Sequence, residues 1–271
     1  MKTLAETGYN ERLFEGGGRR RFHLARFEWV KGALSRVSAL CDSVLELGCF
    51  DGRAVDYLPR TPGFYLGLDA NWERGLEVGT AKYARDQRFE FRRCTTPNEL
   101  RASCKGRLFD TALCLETLEH VPVSMLEDYV RSISEVVTGH IAVTVPNEKG
   151  LVFLAKYVVK RACRVAPTYR GAEIMWATLG RMSSLARNEH KGFDYESVIA
   201  AVSRYFEVLE VTGYPFRSLP RSTGFGVGIL ARARASMTLR PASACSGGAS
   251  LAAEAEAGLA GEGMCSGCPV M

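Results

Sequence analysis

The chain has 271 residues, 46% hydrophobic and 24% charged, which suits one globular domain of about 230 residues with a substantial core and room for an extension. Its formal charge of +5 is modest and needs no polyanionic partner to explain it. The longest apolar stretches stop short of a membrane span, and "MKTLAETGYNERLFEGG" lacks the basic start and unbroken apolar core of an export signal, so a cytoplasmic protein is expected.

The nine cysteines are odd in number and scattered, which fits free thiols in a reducing compartment better than a disulfide framework. Only "CSGC", Cys265 to Cys268, has ligand-like spacing. No second pair accompanies it, so two exposed thiols are the favoured reading.

In chain order, "RFHLARFEWVKGALSRV" at 21–37 spaces Phe22, Phe27, Val30 and Leu34 at helical intervals and predicts a leading helix within a region 1–41. "SVLELG" reads as a first buried strand and "FYLGLD" as a second ending in Asp69. A helical stretch from about Trp72 to Tyr83 follows. "RFEFRR" is a weaker third strand and "LFDTALCLE" a fourth. Val123 to Val137 reads as a helix burying Met125, Leu126, Tyr129, Ile133 and Val136, and "HIAVTVP" is a fifth strand stopped by Pro146. Strands alternating with helices imply parallel pairing, with the site at the strands' carboxyl ends.

The alternation then breaks. "YESVIAAVSR" predicts a helix, and "YFEVLEVTGYPF" and "GFGVGILARA" two strands that can add an antiparallel pair, closing a domain over 42–232 with an insertion at about 148–193. Residues 233–271 are rich in alanine, glycine and serine and read as a flexible tail.

"VLELGCFDGRAVDYL" carries the chemistry. A strand ending at Glu46 and followed by Gly48 and Gly52 lets backbone approach a ligand closely, or is simply a glycine-bearing connection. Asp69, about twenty positions on, sits where a carboxylate can accept hydrogen bonds from ribose hydroxyls; an exposed strand-end aspartate is the alternative. The spacing also suits a nicotinamide dinucleotide, but Phe50 stands at the middle glycine of G-x-G-x-x-G and weakens that reading.

These motifs, with "YLGLDAN" and "FDTALCLETLEHVP", resemble the class I S-adenosylmethionine-dependent methyltransferases over roughly residues 24 to 232. The resemblance implies a Rossmann-like α/β fold. Its sheet has seven strands, mostly parallel, with the terminal strand antiparallel beside the sixth, and an insertion follows strand five. It further implies that Glu46, Gly48 and Gly52 shape the cofactor turn and that Asp69 binds the ribose. Asn71 then lies near the adenosine, and Leu115 and Glu116 border the methionine end. The chain departs from the family after the third strand, where "RRCTTPNEL" offers Thr95 and Thr96 to adenine instead of an acid.

"LETLEHVP" places Glu116, Glu119 and His120 together. If the chain turns helically there, Glu116 shares a face with Glu119 and His120. Such a group can hold a divalent cation that polarises a hydroxyl; without metal, His120, beside Glu119, can take the hydroxyl proton directly. A solvated capped turn is the third reading. The stretch resembles E-x-x-E-H of the ubiquinone-biosynthesis O-methyltransferases and of small-RNA 2′-O-methyltransferases. That resemblance implies a cation, such as magnesium, on Glu116, Glu119 and His120, with His190 a candidate fourth ligand.

Between 151 and 193, Lys156, Lys160, Arg161, Arg164, Arg170, Arg181, Arg187 and Lys191 face only Glu173 and Glu189. With the apolar cluster Leu151 to Leu154, Val158 and Val159, this segment suits either peripheral contact with an anionic membrane or a lid over a hydrophobic acceptor, with Tyr169, Met175 and Trp176 lining a cavity. The expected activity is methyl transfer to a hydroxyl of a small or lipid-linked acceptor. The alternatives are an amine acceptor, an RNA acceptor, which no visible RNA-binding module supports, and a noncatalytic adenosyl-ligand-binding scaffold.

Overall fold

The computed structural model describes residues 17–162, 168–187 and 191–234. The expected tail beyond 234, with its C-terminal CxxC pair, and His190 lie outside the described residues. Helix α1 spans Gly17–Arg36, followed by β1 (Ser43–Leu47), β2 (Phe64–Asp69), α2 (Gly75–Lys82), β3 (Phe89–Arg93), α3 (Pro97–Cys104) and β4 (Phe109–Leu115). Then come α4 (Val123–Val136), β5 (Val137–Pro146), α5 (Gly150–Ala162), α6 (Ala172–Thr178), α7 (Tyr195–Tyr205), β6 (Phe206–Tyr214) and β7 (Gly226–Ala233).

The seven strands form one sheet in the order β3-β2-β1-β4-β5-β7-β6. Pairing is parallel from β3 to β5, while β7 runs antiparallel between β5 and β6. The order reverses between β1 and β4, and this opens a crevice beyond the carboxyl ends of those strands, where open α/β sheets bind ligands. The insertion after strand five contains α5 and α6. Among the described residues no helix is long and apolar enough to cross a membrane.

Alternate strand residues feed opposite faces of the sheet. On one face Leu45, Leu66, Leu68, Cys114, Ile141 and Val143 pack with Leu126, Tyr129, Val130 and Ile133 of α4 and Val198 and Val202 of α7. On the other, Val44, Tyr65, Leu113, Leu115 and Leu230 meet Phe27, Trp29, Val30, Ala33 and Leu34 of α1, so three of the four apolar positions predicted for the leading helix are buried. The fourth, Phe22, has no described side chain.

Three local differences from the predicted elements have identifiable causes. Helix α2 starts at Gly75, not Trp72, because Asn71 and Arg74 take left-handed backbone angles (φ 62° and 59°) that no α-helix continues. The turn after β1 tightens into a single 3-10 segment at Arg53–Tyr57. Helix α3, absent from the prediction, is started by a capping box. Thr96 Oγ1 accepts from Glu99 N at 3.2 Å, Pro97 opens the first turn, and the Glu99 carboxylate reaches back to Thr95 N at 2.6 Å.

Trp29 fastens α1 to the sheet. It is 6% exposed, its Nε1 donates to Thr212 Oγ1 at 2.9 Å, and its ring lies so close over Gly228 that a Cβ there would come within 2.3 Å of it. Trp29→Ala is therefore expected to destabilise the protein by about 3–5 kcal/mol. Trp29→Phe should cost less, since it removes the hydrogen bond but keeps most of the apolar contact. Urea denaturation of the three proteins measures both differences.

Candidate functional site

A cavity of about 430 Å³ opens at the carboxyl ends of β1, β2 and β4. Its floor is the glycine turn after β1. Gly48 has φ 78°, and a Cβ there would sit 1.9 Å from Thr117 Oγ1; Gly52 has φ 71°, and a Cβ there would sit 2.8 Å from the Phe91 ring. Only glycine meets both the backbone sign and the space at these positions.

Asp69 ends β2 on the cavity wall and holds the turn in place. One carboxylate oxygen accepts from Phe50 N at 3.0 Å and the other from Asn71 N at 2.6 Å. An ionised carboxylate offers about four acceptor sites, so capacity for two further donors is left. The neighbouring Asn71 is placed differently from expectation. Its Oδ1 accepts from Leu76 N at 3.1 Å and caps α2, and the cavity is lined instead by Ala70, Trp72 and Glu73. Thr95 lines the cavity at its far end, with its hydroxyl already donating to Glu99 at 3.0 Å. The Thr96 hydroxyl is the α3 cap.

Glu46 lines a smaller recess at the same turn, is 2% exposed, and accepts the Tyr65 hydroxyl at 2.5 Å. Burial pushes its carboxyl up to about 8, against the opposing effect of that hydrogen bond. A cation missed in the sequence shares that recess. Arg26 of α1 lines both the main cavity and the smaller recess formed by Glu46, Gly48, Cys49 and Phe50. Its only sequence signal was a basic residue in a helix otherwise read for its apolar face.

Leu115 ends β4, Glu116 follows it, and both line the cavity. Glu116 has φ 53°, and its carboxylate accepts the hydroxyl of buried Tyr214 from β6. The helical turn begins only after it, with His120 N bonded to Thr117 O at 3.0 Å. The premise that put Glu116 on one face with Glu119 and His120 therefore fails. Among the described residues no group of three His, Cys, Asp or Glu is arranged to hold a metal ion, so Glu116, Glu119 and His120 do not make the expected cation site and no step runs through one.

Glu119 is 1% exposed, and neither carboxyl oxygen has a hydrogen-bond partner among the described residues. Desolvation, reinforced by the charge of Glu116, holds its pKa well above the usual carboxylate range. Burial of this kind disfavours the charged form of the carboxyl. His120 Nε2 lies 3.9 Å from Glu119 Oε1, its side chain is 36% exposed, and its ring stands edge-to-face with Trp72 at 6.4 Å. Arg187, from the end of the insertion, donates to the carbonyls of Glu119 and Val121 at 3.0 and 3.3 Å and so fixes the turn that carries His120.

The insertion has its own small core of Phe153, Tyr169, Ala177, Met182 and Leu185. Tyr169 packs edge-to-face on Phe153 at 4.6 Å, Trp176 packs against the same cluster, and Met175 is 49% exposed. None of the three lines the cavity described above, contrary to expectation. Lys149 joins the insertion's two ends through Asp194 at 2.6 Å.

No family model and no curated protein matches the sequence. Solved structures do match the fold. The S-adenosylmethionine-dependent methyltransferase from Clostridium acetobutylicum ATCC 824 is 11% identical, with a TM-score of 0.56, over 83% of this chain and 98% of that one. Magnesium protoporphyrin IX methyltransferase from Synechocystis PCC 6803 with bound SAH is 14% identical, with a TM-score of 0.54, over 83% of this chain and 92% of that one. The methyltransferase domain of bacterial CtHen1-C is 15% identical, with a TM-score of 0.52, over 79% of this chain and 100% of that one. The chain has the class I S-adenosylmethionine-dependent methyltransferase fold. These structures do not extend the likeness to the ubiquinone-biosynthesis O-methyltransferases in particular.

The raised carboxyl of Glu46 sets a pH dependence. Between about 4.5 and about 8 the folded protein keeps a proton that the unfolded chain has lost, so this residue's contribution to stability is full below that window and is lost as pH rises through it. Glu46→Gln keeps the Tyr65 hydrogen bond and removes the titration. Its melting temperature should fall less than that of the wild type between pH 5 and pH 8, as read by thermal denaturation across that range.

Proposed function

We propose that the protein transfers a methyl group from S-adenosylmethionine to a hydroxyl of a small or lipid-linked acceptor. The observation that carries this reading is that Asp69 and His120 line one cavity at the switch point of a methyltransferase fold. When bound, S-adenosylmethionine supplies a sulfonium methyl as the electrophile. Asp69 has acceptor capacity for the ribose hydroxyls, Gly48 and Gly52 leave room at the turn, and Leu115 and Thr95 bound the cavity on either side. Arg26, which lines the cavity, supplies a cation for a carboxylate at the methionine end.

His120 is the base. The imidazole of His120 would take up the proton that the acceptor hydroxyl loses on methylation, the cofactor supplying the methyl and leaving as a neutral thioether. Glu119 stands beside His120, its nearer carboxyl oxygen 3.9 Å from the imidazole Nε2. An amine that binds neutral needs no such base. Methyl transfer to amines that is indifferent to His120 would therefore favour N-methylation. An RNA acceptor remains the second enzyme reading. Cofactor binding with no transfer to any acceptor class would leave a scaffold.

The insertion favours a peripheral contact with an anionic membrane. Leu151, Val158 and Val159 of α5, Met175 of α6 and Leu179 just after it are exposed, and Lys160 and Arg161 lie in the last turn of α5. Apolar side chains flanked by cations suit the boundary between acidic headgroups and acyl chains.

Two measurements follow from this reading. With methyl-labelled cofactor and a panel of hydroxyl acceptors, His120→Ala should lower kcat by about 10²–10⁴-fold near neutral pH, with partial recovery at higher pH as the acceptor ionises unaided. Unchanged transfer would remove His120 from the chemistry. In vesicle co-sedimentation, the wild type should bind acidic vesicles and release them with added salt, whereas Val158→Asp should bind several-fold less; equal binding to neutral vesicles would contradict the electrostatic part.

A further inference from the structure

Trp72 is a large apolar side chain left 76% exposed at the mouth of the cavity, although the core has ample aromatic packing elsewhere. Its backbone setting is specific. Asn71 and Arg74, on either side of it, both have positive φ, and the loop is held by Asp69 through Asn71 N and by Asn71 Oδ1 through Leu76 N. Carrying two non-glycine residues in the left-handed region delays α2 and leaves the indole out of the helix it would otherwise join. An exposed aromatic with that support belongs to recognition more than to folding.

The indole plane stands at 89° to the imidazole of His120, with 6.4 Å between ring centroids. A flat ring lying parallel to the indole is therefore perpendicular to the imidazole plane as well. A hydroxyl on that ring's rim lies in the ring plane, and the imidazole stands 6.4 Å from the indole between centroids. Val121 and Pro122 continue the apolar wall on the same side of the mouth.

We propose that Trp72 is the stacking platform for a flat aromatic ring of the acceptor, and so selects an aromatic alcohol over a saturated one. The proposal rests on the methyl-transfer reading of this cavity. Trp72 positions the ring, and His120 handles the proton.

The test is calorimetric titration of the full chain, saturated with S-adenosylhomocysteine, with naphthol, with its saturated counterpart decahydronaphthol and with choline. Naphthol should bind at least about tenfold more tightly than decahydronaphthol. Trp72→Ala should erase most of that preference, Trp72→Phe should keep it within about threefold, and neither variant should change S-adenosylhomocysteine affinity by more than about twofold. Three results would overturn the proposal: naphthol affinity that is absent or indifferent to Trp72→Ala, Trp72-dependent preference for choline, which would assign the indole to a cation, or lost S-adenosylhomocysteine affinity in Trp72→Ala, which would make it a cover for the cofactor. If the wild type binds no S-adenosylhomocysteine, the methyl-transfer reading itself fails; if it binds and only the naphthol preference is missing, that reading stands and the platform alone is wrong.

Discussion

The Asp69 carboxylate is the contact on which the site depends. At the end of β2 it accepts one backbone N–H from the turn after β1 and one from its own following loop. One side chain thereby ties together the two loops that flank the cavity. The glycines fit around that tie, since Gly48 admits Thr117 where any Cβ would exclude it. The left-handed residues beyond it bring Trp72 to the mouth instead of into α2. Hydrogen bonds to an ionised carboxylate are among the stronger ones, which suits Asp69 to both structural and ligand-binding duty.

The electrostatics of the cavity point the same way. Two buried acids, Glu46 and Glu119, have carboxyls raised by desolvation, and the charge of Arg26, which lines the cavity, opposes that rise in both. Burial in a low-dielectric surrounding disfavours the charged form of a carboxyl, and a nearby cation opposes that effect. A sulfonium and an ammonium on one molecule, with a carboxylate for Arg26, would complement this arrangement of charges. The turn carrying His120 is braced by Arg187, so the insertion reaches that turn through two backbone carbonyls.

Much of the architecture was legible in the sequence because buried strands are short apolar runs bounded by glycine or acid, and the alternation with amphipathic helices leaves few topologies. The glycine turn and Asp69 were legible for the same reason, since backbone geometry restricts those positions to few residue types. Helix α3 was visible in principle as the capping box Thr96 to Glu99, though its side chains were read as ligand groups. The E-x-x-E-H argument failed on a single dihedral: Glu116 at φ 53° belongs to the strand end, so the spacing that would align it with His120 on a helix does not apply. Arg26 and Trp72 were not legible as site residues, because their places depend on tertiary packing of α1 and on the sign of φ in one loop.

The most direct test is an isothermal titration of the folded protein with S-adenosylmethionine, repeated on Asp69→Ala. The account predicts saturable binding by the wild type and a loss of roughly 10–100-fold in the variant, the worth of hydrogen bonds to a charged group. A folded wild type that binds no S-adenosylmethionine, or a variant that binds it equally well, would contradict it.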